Sequence, residues 1–136
     1  MSKPKVTGIG GIFFKCEDPD KMREWYAQQL GFETDQYGAM FKWHSLENPS
    51  QTAYTQWSTF SEDSKHMQPS EKPFMINYRV NDLEGLIKNL KNAGVKVVGE
   101  IERFDYGKFA HIMDPEGNKI ELWEPIDAAF DAYHEK

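Results

Sequence analysis

The sequence predicts an α+β fold: two tandem βαβββ modules forming a curled mixed sheet around a cleft, with the helices outside. Two observations carry this. One order of elements is written twice: Lys15-Cys16-Glu17-Asp18-Pro19 opens a helical run ending at Leu30-Gly31-Phe32, and Arg79-Val80-Asn81-Asp82-Leu83 opens another ending at Ala93-Gly94-Val95. The strand–turn–strand tail Asp114-Pro115-Glu116-Gly117-Asn118-Lys119-Ile120-Glu121-Leu122-Trp123 then closes the second copy, and Thr55-Gln56-Trp57 is its reduced echo in the first. A helix per repeat covers one sheet face and leaves the two concave faces to meet.

Val6 to Cys16 reads as a strand rich in Ile and Phe. Its Gly8, Gly10 and Gly11 imitate a dinucleotide fingerprint, but the third glycine is missing and the glycines lie inside the strand rather than after it. They mark a bulge or a place where a backbone or ligand comes close. Asp18 is an N-cap with Pro19 at the first helical position, and Gly31 is the stop. Met22, Trp25, Tyr26 and Leu30 fall at helical spacing and predict one buried stripe. A meander follows over residues 32–36, 39–45 and 51–59. Polar, aperiodic residues 61–73 form the linker.

The second copy repeats the plan. Phe74 to Val80 is a strand, Asp82 caps a helix with Leu83, Leu86, Ile87 and Leu90 on one face, and Gly94 ends it. Strands are expected near residues 95–100, 101–104, 109–113 and 119–124. Asp114-Pro115-Glu116-Gly117 has the chemistry of a tight hairpin. Residues 126–136 predict a short helix, with Phe130 and Tyr133 docking back. The division is therefore 1–60, first module; 61–73, linker; 74–125, second module; 126–136, tail. All belong to one structural domain.

Composition narrows the function classes. At 136 residues the chain buries enough surface to fold without disulfide or metal. Cys16, the single cysteine, reads as a small hydrophobe in a strand rather than a reactive thiol. A net charge of −6 with no Lys/Arg cluster disfavours nucleic acid and anionic membranes as partners. No apolar run suits a membrane span or signal peptide, so a cytoplasmic location is expected.

Gly10-Gly11-Ile12-Phe13-Phe14-Lys15, the Trp25 to Phe32 run, Val80-Asn81-Asp82-Leu83 and Asp114 to Leu122 together resemble the vicinal oxygen chelate superfamily of glyoxalase I, bleomycin-resistance proteins and extradiol dioxygenases. The resemblance covers residues 6–125 and implies paired modules, often as a homodimer. It also implies one divalent metal held from four strand positions. In this chain those positions fall at Gly11, at Thr55 or Gln56, at Met75, and at Glu121. Only Glu121 is a good ligand, since glycine offers no donor and a thioether suits hard ions poorly. No metal and no other cofactor is therefore expected.

Of the four histidines, His44, His66 and His134 read as structural or solvated. His111 is different: a hairpin pairing Asp114 with Asn118 sets His111 opposite Glu121 on one side of the sheet. The pair is either a rim ion pair or a cleft-facing acid–base pair, with Glu121 raised in pKa by burial and His111 as relay. Trp43, Tyr54, Gln56, Trp57, Met75 and Trp123 are the candidate ligand-binding residues. Two functions follow: a metal-free binding protein for a small, partly apolar ligand, or a lyase, isomerase or dioxygenase-like enzyme using Glu121 as base or metal ligand. Whether the chain is an enzyme stays open at this stage.

Overall fold

The computed structural model describes residues 3–134, and side chains as far as Phe130. The first module runs β1 (Val6–Cys16), α1 (Pro19–Leu30), β2 (Thr34–Asp35), β3 (Gly38–His44) and β4 (Thr52–Ser61). The second runs β5 (Phe74–Val80), α2 (Leu83–Asn92), β6 (Val97–Phe104), β7 (Gly107–Met113) and β8 (Lys119–Pro125), followed by α3 (Asp127–His134). All strands join one open mixed sheet in the order β2-β3-β4-β1-β5-β8-β7-β6. Within each module the first and last strands pair in parallel, β1 with β4 and β5 with β8. The modules meet where β1 and β5 pair antiparallel. The stretches expected at 95–100 and 101–104 are a single strand, β6, with a bulge between Val98 and Glu102.

Both helices start as their caps dictate. The Asp18 carboxylate accepts from the Lys21 N–H and Asp82 accepts from Gly85, each satisfying an N–H that the helix cannot. Gly31 ends α1 at φ 73°, a left-handed conformation that glycine adopts without a Cβ clash. On α2 the expected face is the packed one: Leu83 and Ile87 are buried against Val80, Ala110, Ile112 and Leu122, with Leu86 and Leu90 beside them. Burying a Leu or Ile side chain contributes about 1.5–3 kcal/mol.

The α1 stripe is only partly buried. Tyr26 packs on Trp57, Phe14 and Phe32, but Trp25 is 52% exposed and Leu30 lies in solvent. The anchoring ring comes from the sheet: Trp57 rises between Tyr26 and Phe32, and Trp25 only edges onto Tyr26. Cys16 is half-buried, not buried, and burial pushes its thiol pKa upward, away from thiolate reactivity. The linker is tied down by Met67, fully buried with Met75 and Phe13. No helix among the described residues is long and apolar enough to cross a membrane. The tail is helical, as expected; the Tyr133 and His134 side chains lie outside the described residues.

Candidate functional site

Side chains alternate across a strand, so register decides what gathers on the concave face. It places Gln56, Gly11, Asn77, Glu121 and His111 side by side, one each from β4, β1, β5, β8 and β7. Helices α1 and α2 pack on the other face, through Trp57, Ile112 and Leu122. The hairpin pairs Asp114 with Asn118, as its turn residues require, and His111 stands opposite Glu121.

Glu121 is the centre of this row. Its Oε2 accepts from His111 Nε2 at 2.8 Å, and its Oε1 accepts from Asn77 Nδ2 at 2.7 Å. His66 approaches from the linker, with Nε2 3.6 Å from the same Oε2. Glu121 is 6% exposed and His111 8%, so the pair is no rim contact. The expected rise in the Glu121 pKa does not occur. Burial, the largest single influence, pushes it upward, but the hydrogen bonds from His111 and Asn77, with the nearby His66 imidazole, together outweigh burial and carry it down to about 2. A carboxylate fixed in this way is a weak proton acceptor.

Asn77 is bound on one side only. A carboxylate accepts and never donates, so the amide nitrogen faces Glu121 and Oδ1 faces away. That Oδ1 is buried with no hydrogen-bond partner among the described residues. It points at Gly10: a Cβ there would collide with Asn77 Oδ1 and come within 2.9 Å of Arg79 Cγ and 3.0 Å of the Trp123 ring. Glycine at position 10 keeps this pocket of space open, and β1 bulges at the same place.

A cavity of about 740 Å³ opens above the row, with Gly10, Gln56, Asn77 and Glu121 at its floor and Phe13, Phe60, Tyr106, Phe109, Trp123 and Phe130 among its walls. α3 closes one end. Arg79 holds Asp127 through two hydrogen bonds, one at 2.9 Å, while its guanidinium lies 5.4 Å from each of the Trp43 and Trp123 rings. Phe130 packs against Tyr54, Tyr106 and Trp123.

Of the six expected ligand-binding residues, Gln56 and Trp123 line this cavity. The other four do not. Trp57 faces α1, with its ring 4.6 Å from that of Tyr26. Met75 is fully buried under the linker with Met67. Tyr54 is buried behind Phe130, and Trp43 is spent on Arg79 and on a hydrogen bond to Thr55. Sequence reasoning also missed Asn77 and His66. The alternation Met75, Asn77, Arg79 in an otherwise apolar strand signals the first; nothing in the linker signals the second.

The profile of the Glyoxalase/Bleomycin resistance protein/Dioxygenase superfamily matches residues 8–122. The chain belongs to this superfamily. No curated protein matches it. Among solved structures, this superfamily member is similar to a single-residue variant of Streptomyces coelicolor methylmalonyl-CoA epimerase in complex with 2-nitronate-propionyl-CoA, at 20% identity and TM-score 0.66, covering 90% of this chain and 99% of that one. Mycobacterium tuberculosis methylmalonyl-CoA epimerase gives 22% and 0.62, covering 96% of both. The Mn(II)-bound glyoxalase from Novosphingobium aromaticivorans gives 19% and 0.60, covering 89% of this chain and 40% of that one. At these identities the likeness establishes the fold.

The superfamily's metal does not fit the four strand positions here. On the row facing the cleft the four strands present Gly11, Gln56, Asn77 and Glu121; Thr55 alternates to the other face, and Met75, paired with Phe13, lies two residues along β5. Gly11 has no donor atom. The Gln56 amide nitrogen is committed to Tyr37 O, Trp57 O and Ser58 Oγ. Asn77 donates to Glu121, leaving one carboxylate and neutral amides.

Proposed function

We propose that this protein is a small-molecule binding protein of the glyoxalase/bleomycin-resistance type, without a metal at the superfamily's four strand positions. Its cleft takes a small, partly apolar, planar ligand that carries one hydrogen-bond donor. The observation that carries the reading is the unpartnered Asn77 Oδ1 on the floor of an aromatic-walled cavity. An orphaned buried acceptor costs about 1–3 kcal/mol, which a ligand N–H or O–H recovers on binding. Phe109 and Trp123, stacked at 5.7 Å, offer a flat apolar wall.

Calorimetric titration with a panel of aromatic compounds, matched in pairs with and without an N–H or O–H, tests this. The donor-bearing members bind tighter to the wild type, and Asn77→Ala removes the difference. Equal affinity across each pair, or no binding by any member, defeats the reading.

A second reading rests on Glu121 lining the cavity beside His111: a lyase or isomerase removing a proton next to a carbonyl, as the epimerases of similar fold suggest. It requires a ligand that displaces His111 or Asn77 from Glu121, because both carboxylate oxygens are occupied and the pKa is low. Glu121→Gln separates the readings, leaving binding largely intact under the first and abolishing turnover under the second. We further propose a homodimer. Support comes from Ile12 and Phe74, which lie exposed on the helix-bearing face between α1 and α2; light scattering on the purified chain decides it.

A further inference from the structure

Around Glu121, the one good ligand among the superfamily's strand positions, a neighbouring strand and the linker each bring an imidazole. We propose that His66, His111 and Glu121 form a binding site for a borderline divalent transition-metal ion, such as zinc, nickel or cobalt, displaced from the superfamily's four positions. Among the described residues, one donor atom from each lies within 4.8 Å of the other two. Two of the three separations are 2.8 Å (His111 Nε2 to Glu121 Oε2) and 3.6 Å (His66 Nε2 to the same oxygen). An ion with bonds of about 2.0–2.2 Å sets its donors roughly 3–3.5 Å apart, so movements well under an ångström at Oε2 and a turn of the half-exposed His66 ring seat it.

The surroundings hold these donors as an outer shell does. Asn77 Nδ2 ties down Glu121 Oε1 and turns Oε2 toward both imidazoles. Phe60 stacks on the His66 ring at 5.4 Å and 9°, and the Lys119 ammonium bonds to the His66 carbonyl at 2.7 Å, fixing the linker there. The His66 and His111 rings stand edge to face at 6.0 Å. Two imidazoles and one carboxylate select borderline ions over Mg²⁺ and Ca²⁺, which require oxygen-rich spheres. Only Glu121 belongs to the superfamily row; the linker and β7 supply the rest.

This proposal stands apart from the apolar ligand, so its test uses metal alone. The full chain, stripped with chelator and dialysed, is titrated calorimetrically with Zn²⁺ and followed by visible absorption with Co²⁺. One ion per chain is expected, with micromolar or tighter affinity and d–d bands indicating nitrogen ligation. His66→Ala, at a half-exposed linker position, and His111→Ala each weaken binding by about 10- to 100-fold, whereas His44→Ala at an exposed strand end leaves it unchanged. If His111→Ala does not fold, His66→Ala decides. Absence of saturable binding, several equivalent weak sites, or affinity that survives His66→Ala overturns the proposal.

Discussion

In the first module three neighbouring strands present Met40, Gln56 and Gly11 to the cleft; on the same cross-sheet row the second presents His111, Glu121 and Asn77. The backbone pairing is the same in both, with a parallel pair flanked by an antiparallel hairpin. One half gives a neutral, adaptable surface and the other a buried charge held by two hydrogen-bond donors. The helices differ likewise: α2 buries Leu83 and Ile87, while α1 buries no residue and relies on Trp57 from the sheet. A duplicated scaffold thus lets one copy carry polar chemistry while the other supplies volume, because register preserves positions and constrains side chains only on the helix-covered face.

The contrast has measurable consequences. His111→Ala leaves the Glu121 carboxylate buried beside one lost partner and should destabilise the fold by about 3–5 kcal/mol. Met40→Ala at the matching position should cost only about 1–2 kcal/mol, since that side chain is half-buried. Equal losses in urea unfolding would erase the asymmetry. Acid should act through the second module alone. The Glu121 pKa is depressed in the folded chain, from its ordinary 4.5 to about 2, so the unfolded state binds the proton first. Stability from this group is present above about pH 4.5 and is lost as pH falls toward 2, worth roughly 3 kcal/mol. Glu121→Gln should flatten that limb of the stability–pH curve; an unchanged limb would assign it to other carboxylates.

Between the helices, Ile87→Ala should cost about 2–4 kcal/mol and Trp25→Ala less than about 1 kcal/mol. A Trp25 loss as large as that of Ile87 would mean that α1 packs more deeply than its contacts indicate. At the module junction a modest effect on stability accompanies a complete effect on binding. Gly10→Ala pushes a methyl against the Asn77 amide, costing about 1–2 kcal/mol while blocking the cavity floor. Ligand-induced thermal shift should vanish in this variant although the protein stays folded, and a retained shift would move the ligand elsewhere.

The repeat, the caps and the Asp114–Gly117 hairpin were legible because each is a local rule. Asp18-Pro19 and Asp82 start helices wherever they are, and a tight turn fixes its own register, which is why His111 opposite Glu121 could be derived. Trp57 and Met75 were misplaced because they depend on non-local pairing. An aromatic in an alternating strand faces a cleft or a helix according to a register that no short window contains. His66 was illegible for a different reason. It lies in an aperiodic stretch, and only Met67 anchoring against Phe13 and Met75 brings it to the cleft.

The amino-acid order alone therefore determined two βαβββ units, their caps and one buried hydrogen-bonded pair, since these follow from short-range hydrogen bonding and the two-residue period of a strand. The pairing of β1 with β5 decided what the site is. Joining the modules there sets Gly10 against Asn77, carries linker residue His66 to Glu121, and leaves one amide oxygen unpartnered. Such long-range juxtapositions are specified by the packing of the whole sheet, which no segment encodes by itself.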